Sequence, residues 1–195
     1  MKTFYIIASI GFLFLMIQSY KLLSNNLKTE NQKYRLVLKE AQFEVRFYPS
    51  ATFAKIYSSG TDYKSVSSSG FRKLAGYIFG GNDQGKSISM TAPVRMEMSD
   101  KGSSMSFVMP EKYKEADLPK PKDASVQIVK SSPQYVAVIS FGGYADDESI
   151  QENRNLLLKL IQKKGIKVTG EYSFLGYNAP FQFWSRKNEV VIPID

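Results

Sequence analysis

The sequence predicts an α+β domain, in which two copies of a strand–helix–hairpin unit form about eight antiparallel strands with two helices. The first observation is an internal similarity: residues 43–60 and 126–143 align without gaps, each as two short apolar runs around a break that contains proline. The second is that a helical pattern of apolar residues follows each copy, and a predicted hairpin follows each helix. The repeats run over about residues 43–110 and 126–193, and a pseudo-twofold axis between them would leave a groove where they meet.

The first predicted helix covers residues 65–79. Its apolar residues recur at helical spacing, at Phe71, Leu74, Ala75 and Ile78. Two glycines follow this run, and a glycine can take the left-handed conformation that ends a helix without a Cβ penalty. The turn residues Asn82, Asp83 and Gly85 come next, so we expect the chain to reverse here.

A strand is predicted from Ile88 to Met98, because apolar and polar residues alternate there with a period of two. This pattern indicates one buried, methionine-rich face. Pro93 has no backbone N–H to donate, so the strand is expected at a sheet edge or with a bulge at that residue. The chain is then predicted to turn at residues 99–102 and to return through Met105, Phe107 and Met109.

The second predicted helix covers residues 147–164. Asp146 or Asp147 can cap its start, and Glu148 suits the positive end of the helix dipole. Its apolar face is formed by Ile150, Leu157, Leu160 and Ile161, and Lys163, Lys164 and Gly165 mark its end. A second hairpin is predicted from a strand over residues 171–184, a turn near 185–188 and a return through Val190 and Ile192. The polar, proline-rich residues 111–123 are expected to form an exposed connection between the repeats.

The N-terminal residues 1–21 are predicted to be a signal peptide or a membrane anchor, because Lys2 precedes an uncharged apolar run over residues 4–17. This run is shorter than the roughly 20 residues of a full membrane span. It also lacks a small-x-small cleavage site. The sequence leaves open an uncleaved anchor in a membrane, a cleaved signal for export or the periplasm, and a buried helix. A polar linker over residues 22–33 and a folded domain over 34–195 are expected to follow.

The sequence contains neither cysteine nor histidine. These absences exclude disulfides, thiolate chemistry, the commonest metal ligand, and Ser-His-Asp or Cys-His catalysis. The formal net charge is +8, but the lysines and arginines are scattered, with no basic run beside a stacking motif. We therefore expect a solvated basic surface and no nucleic-acid partner.

Three motifs, in their order and spacing, resemble the SOUL haem-binding protein family: Met90-Thr91-Ala92-Pro93-Val94, Phe141-Gly142-Gly143-Tyr144 and Arg186-Lys187-Asn188-Glu189-Val190. The resemblance extends over nearly the whole of residues 43–194. It implies a distorted eight-stranded antiparallel barrel flanked by two helices, a fold shared with bacterial effector-binding domains of the gyrase-inhibitor type. It also implies haem or a related tetrapyrrole as the ligand, which would be bound without catalysis.

A haem site needs apolar walls, cations for the propionates and, for tight binding, an axial ligand. The predicted walls are Phe71, Leu74, Tyr77, Ile78, Met90, Met96, Met98, Phe107 and Tyr144. The predicted propionate partners are Arg72, Lys73, Lys86 and Arg186. Each of these residues also has an ordinary interpretation, as core packing for the apolar ones and as a solvated charge for the cations. Because histidine and cysteine are absent, the axial candidates are Tyr77 and Tyr144, the tyrosines nearest the motifs.

Two other functions stay open at this point. An effector-type module for apolar or cationic small molecules would place an acid in the groove between the repeats, and Glu189 is the candidate. A hydrolase in the same fold would use Glu189 or Glu97 as general base and Tyr177 as proton donor. A buried glutamate with a raised pKa, facing an open cavity, would favour either alternative. A cavity lined by Met, Phe and Ile, with lysine at its mouth, would favour haem.

Overall fold

The computed structural model describes residues 29–99, 102–179, 182 and 184–195. The predicted signal or anchor over residues 1–21 lies outside these ranges, and its place at a membrane or in an exported protein stays a prediction. Among the helices of the described residues, none is long and apolar enough to cross a membrane. Residues 31–195 form one structural unit.

The strands and helices of the described chain follow the predicted order. The strands are β1 (Glu30–Asn31), β2 (Arg35–Lys39), β3 (Glu44–Tyr48), β4 (Thr52–Ser58), β5 (Thr91–Ala92), β6 (Val94–Ser99), β7 (Gly102–Val108), β8 (Gln127–Lys130), β9 (Gln134–Phe141), β10 (Ser173–Gly176) and β11 (Asn188–Ile194). The helices are α1 (Tyr63–Ile78) and α2 (Asp147–Lys163), with a 3-10 turn at Glu115–Asp117 in the connection between the repeats. Strands β1 and β5 pair in a separate two-stranded sheet.

One curled antiparallel sheet has the strand order β2-β3-β9-β11-β10-β6-β7-β4-β8. From β3 to β8 this order is symmetric, because β3, β9, β11 and β10 of one half correspond to β8, β4, β7 and β6 of the other. At the centre β10 pairs with β6, with Phe174 opposite Met96. This arrangement confirms the predicted α+β fold of two pseudo-symmetric repeats with two helices. The first strand of each repeat pairs with the second strand of the other, so the halves are interlocked.

The strand that contains Pro93 is not at an edge, because β6 pairs with β7 on one side and β10 on the other. The chain is instead interrupted at Pro93, where the Ala92–Pro93 peptide is cis and β5 ends before β6 begins. The second hairpin also differs from its prediction, because β10 stops at Gly176. Asn178 ends it there: its side chain accepts a hydrogen bond from the Lys187 backbone N–H at 2.6 Å, as turn residues do.

The two helices begin side by side. The Asp146 side chain caps α2 by accepting a hydrogen bond from the Ser149 backbone N–H, in a reciprocal capping box. Asp147 serves the other helix, since its carboxylate accepts from the Tyr63 backbone N–H at 2.7 Å. Both predicted cap candidates are therefore used, one for each helix.

The sheet has two faces of different composition. The helix face packs against α1 and α2 through a core that includes Leu74, Tyr77, Met96, Met98, Met105, Phe107 and Leu157. This confirms the methionine-rich buried face expected from the alternation. The opposite face carries a smaller apolar cluster of Tyr48, Val136, Val138, Leu175 and Val191, beside buried charged residues.

Candidate functional site

A groove of about 660 Å³ lies on the helix face, between α1, the sheet and the loop that precedes β11. Helix α1 contributes Tyr63, Ser67, Ser68, Phe71, Arg72 and Ala75. The strands contribute Val94, Met105, Phe174, Gly176 and Asn188, and the loops contribute Tyr144, Asn178 and Arg186. This volume is within the range of small-molecule and cofactor sites, which are mostly apolar with few polar groups.

The walls of the groove are set by the spacing of α1. Ser67, Phe71 and Ala75 recur every four residues, so they lie on one side of the helix, while Leu74 points to the core. The Phe71 ring packs edge-on against Phe107 at a centroid distance of 5.3 Å. At the other end of the groove the Tyr63 ring packs edge-on against Phe174 at 5.2 Å. These contacts hold rigid aromatic surfaces on two sides of the groove.

The mouth of the groove is cationic. The Arg186 guanidinium lies over the Tyr144 ring, with Cζ at 4.5 Å from the ring centroid. Its Nη1 donates to the backbone carbonyls of Ala179 and Gln182, at 3.1 and 2.7 Å. Its Nε is buried, and within the described part of the chain it has no hydrogen-bond partner. A buried donor left without a partner is costly, so this N–H is available to an anionic group of a ligand.

The predicted wall residues divide into two groups. Phe71 and Tyr144 line the groove. Six others are fully or almost fully buried beneath it, in the core: Leu74, Tyr77, Ile78, Met96, Met98 and Phe107. Met90 is partly buried and packs against the same core. These seven residues therefore belong to the core, which was the ordinary interpretation of each. Phe107 contributes to the groove indirectly, because its ring packs against Phe71.

The predicted propionate partners also divide. Arg72 and Arg186 line the groove. Lys73 donates instead to the Ser125 hydroxyl at 3.2 Å, and the Lys86 ammonium lies 4.7 Å from the centre of the Tyr113 ring. The structure thus brings the two arginines to the groove and directs these two lysines to other contacts.

The two axial candidates differ in access. Tyr77 is 1% exposed, and its hydroxyl donates to the Pro119 carbonyl at 3.0 Å. Burial, together with Asp83 and Tyr113, raises the pKa of Tyr77 to about 12, which disfavours the phenolate that would ligate iron. Tyr144 is 56% exposed and lines the groove. Of the two, Tyr144 is the one positioned to reach a ligand there.

Glu189 lies on the opposite face of the sheet and is 0% exposed. Its carboxylate accepts from both terminal nitrogens of Arg46 at 3.0 Å, from the Tyr177 hydroxyl at 2.7 Å and from the Ser140 hydroxyl at 3.1 Å. Lys187 adds an ion pair at 3.0 Å. Arg46 is the principal partner of Glu189, and no pattern in the sequence singled it out.

These contacts decide the protonation state of the acids. Burial alone would raise the pKa of Glu189, but hydrogen bonds and charge from Arg46, Tyr177 and Lys187 lower it overall. Glu97 is similar, because Lys55 and Ser104 outweigh its burial and its pKa is also lowered. Burial and Glu189 raise the pKa of Tyr177. A glutamate whose pKa is lowered is a weak general base, so neither alternative function finds the raised-pKa glutamate that would favour it.

Several residues of the groove lining were not predicted as site residues: Tyr63, Ser67, Ser68, Ala75, Val94, Met105, Phe174, Gly176, Asn178 and Asn188. On α1, Ser67 and Ala75 lie four residues before and after Phe71, a spacing from which their place beside Phe71 could have been inferred. Val94, Met105, Phe174, Gly176 and Asn188 come together only through the pairing of β6, β7, β10 and β11, which no local pattern reveals.

Comparison with known proteins shows which protein family this chain matches. Residues 29–193 match the family model described as SOUL heme-binding protein. The chain is 32% identical over 157 residues to mouse heme-binding protein 2, covering 76% of each chain. It is 27% identical over 172 residues to heme-binding protein 1 of Xenopus laevis, covering 83% of this chain and 90% of the relative.

Among solved structures, the C-terminal domain of EcmrR is similar to this chain with a TM-score of 0.62. The identity is 9%, and the match covers 83% of this chain and 98% of that domain. At this identity the likeness concerns the fold alone.

Proposed function

The chain belongs to the SOUL haem-binding protein family, and from this premise we propose that it binds haem or a related tetrapyrrole in the groove beside α1, without catalysing a reaction. The relatives reported above are named for haem binding, which supports the ligand class. The groove supplies what that ligand needs: apolar walls, a cationic mouth and a tyrosine within reach.

The residues of the groove fit the chemistry of a porphyrin. Phe71, Ala75, Val94 and Phe174 give apolar and aromatic surfaces for the faces of the ring. Met105 adds a polarizable thioether, which packs well on an aromatic system. When bound, haem supplies an iron centre, and the Tyr144 oxygen is the side-chain atom that would approach it.

One observation carries the proposal: Arg186, whose buried Nε finds no hydrogen-bond partner among the described residues, lines the same groove as the apolar walls. A propionate would accept from this N–H in a charge-assisted hydrogen bond. Arg72 lies on α1, in the lining of the same groove, and adds a second positive charge. An uncharged apolar ligand would leave the Arg186 donor unpaired.

Titration of the full chain with haemin, followed by Soret absorbance, tests this function. We expect a saturable one-to-one spectral change. Ala75→Trp fills the groove from α1 and is expected to weaken haemin binding by at least about tenfold. Phe79→Trp is the matched control, since Phe79 directly follows the same helix, is 66% exposed and is not part of the groove lining. This variant should bind haemin like the unsubstituted chain.

Two results would overturn the proposal. The first is unsaturable uptake of haemin, as any apolar surface gives. The second is equal affinity in Ala75→Trp and Phe79→Trp, which would place the ligand elsewhere.

A further inference from the structure

A second cavity, of about 400 Å³, lies on the opposite face of the sheet. Its lining includes Tyr48, Phe53, Lys55, Arg95, Lys130 and Gln134. These residues come from β3, β4, β6, β8 and β9, so strands of both repeats build it. The sheet separates this cavity from the haem groove, because Arg95 and Met96 are successive residues of β6 and their side chains point to opposite faces.

Arg95 is the unusual residue of this cavity. It is 6% exposed, yet Nε and Nη2 of its guanidinium find no hydrogen-bond partner in the described ranges. Tyr48 lines the same cavity, and its hydroxyl is buried. Arg46 interacts with this hydroxyl but can only donate to it, so the Tyr48 O–H itself donates to none of the described residues. Arg46, buried to the same degree, instead bonds both Glu189 and Glu44. The Arg95 guanidinium instead lies 5.8 Å from the centre of the Tyr48 ring and 6.0 Å from that of the Phe53 ring, contacts that do not replace an ionic partner.

The nearest acid on the same strand does not satisfy Arg95. The Glu97 carboxylate accepts from the Lys55 ammonium at 2.5 Å and from the Ser104 hydroxyl at 2.9 Å. Lys130 adds a further positive charge at the rim of the cavity. With Arg95, Lys55 and Lys130 against Glu97, the lining carries an excess of positive charge. Burial lowers the pKa of Arg95, as it does for a cation without sufficient counter-charge.

We propose that this cavity binds a small organic anion, whose carboxylate or phosphate oxygens accept from Nε and Nη2 of Arg95 and from the Tyr48 hydroxyl. A guanidinium offers parallel donors that match either oxyanion. Phe53 and Val129 give the cavity apolar surface, so there is room for an organic group beyond the charged one.

The test is an NMR titration of the full chain with two probes, phenyl phosphate and benzoate, at constant ionic strength set with sodium chloride. The arginine Nε–H signals report directly on the guanidinium. We expect one of them, assigned to Arg95 by its loss in Arg95→Met, to shift saturably with at least one probe. The probe that binds more tightly distinguishes a phosphate from a carboxylate ligand.

Arg72→Met is the matched control, because Arg72 lines the groove on the helix face and its loss should leave probe binding unchanged. Tyr48→Phe should weaken binding several-fold while keeping the ring in place. Absence of any saturable shift in the unsubstituted chain would overturn the proposal, and this result does not depend on the folding of Arg95→Met. Displacement of the probes by one equivalent of haemin would also overturn it, because the two faces would then share one site.

Discussion

Arg186 distinguishes this groove from an ordinary apolar crevice. Its Nη1 is fixed by two backbone carbonyls and its guanidinium stacks on Tyr144, so the buried Nε is held in place at the groove. Lys86 has the same formal charge but lies over Tyr113 and outside the groove lining. Substitution of Lys86 is therefore a matched control for substitution of Arg186.

We expect Arg186→Met to weaken haemin binding by about 10- to 100-fold, since a hydrogen bond to a charged group contributes about 1.5–3 kcal/mol. Lys86→Met should leave the affinity within about twofold. Soret titrations of both variants measure the difference. Equal weakening in the two would mean that general positive charge, and not the Arg186 donor, attracts the ligand.

Glu189 predicts how stability depends on pH. Its pKa in the folded chain lies below the ordinary value of 4.5, so its ionised form stabilises the fold above that pH. This contribution is lost as the pH falls through the lowered pKa. Urea unfolding between neutral and acid pH should show the loss in the unsubstituted chain.

In Glu189→Gln, we expect the free energy of unfolding at neutral pH to fall by about 3–5 kcal/mol, because the buried Arg46 loses the carboxylate that accepts from both its terminal nitrogens and keeps only the more exposed Glu44. The contribution of this residue to acid sensitivity should disappear as well. Glu111→Gln is the control, since Glu111 pairs with Lys33 on the surface, and its loss should cost less than about 1 kcal/mol. A similar cost in both variants would contradict the account of the Glu189 network.

Among the elements, two glycines near the end of α1 have different surroundings: Gly76 lies inside the helix and Gly81 three residues past its end. A Cβ at Gly76 would meet nothing within 4 Å. A Cβ at Gly81 would lie 2.6 Å from the Gly76 carbonyl oxygen, which accepts the Gly81 backbone N–H at the end of the helix. The first glycine weakens the helix, while the second is required by its termination.

Gly76→Ala should therefore raise the free energy of unfolding by about 0.5–1 kcal/mol, the usual gain for a helix interior. Gly81→Ala should lower it by about 1–3 kcal/mol, because the helix end must shift to relieve the overlap. Thermal or urea unfolding of the pair measures both signs. A loss of stability in Gly76→Ala would contradict the exposed position of Gly76 on α1, where a Cβ meets no neighbour within 4 Å.

The elements themselves follow from local patterns, but their pairing does not. Helical spacing and the glycines after Ile78 located α1 within two residues at its start. Pro93 suggested an edge strand or a bulge, whereas β6 lies at the centre of the sheet and the chain is interrupted at Pro93. Periodicity describes the two faces of a strand, and it carries no information about which distant strand lies beside it. A local pattern therefore could not predict that the first strand of each repeat pairs with the second strand of the other.

The same limit applies to the site. Phe71, Tyr144 and Arg186 were predicted and lie together in the groove. The helical pattern marked Phe71, and the family motifs contain Tyr144 and Arg186. Leu74 and Ala75 are both apolar neighbours in one helix, and the pattern alone does not say which faces the core and which faces a groove. The alternation around Met96 gave the correct face of the sheet, but that face holds the core as well as the groove.

For the whole molecule, the sheet separates two kinds of chemistry. The helix face carries the apolar groove with Arg186 at its mouth, and the opposite face carries the Arg95 cavity beside the Arg46–Glu189 network. On that opposite face Arg46 neutralises Glu189 and Lys55 pairs with Glu97, so neither of these two acids is free for a cationic ligand. We therefore propose the helix face as the side of the molecule that binds the tetrapyrrole.

Backbone amide chemical shifts of the full chain, recorded with and without diamagnetic gallium protoporphyrin, test this claim most directly. We expect changes at residues 67–75, Tyr144 and Asn188, which surround the groove. The signals of Val129, Ser131 and Gln134, which line the cavity on the opposite face, should stay in place. Changes confined to those three residues, or spread equally over both faces, would contradict the assignment of the tetrapyrrole to the groove beside α1.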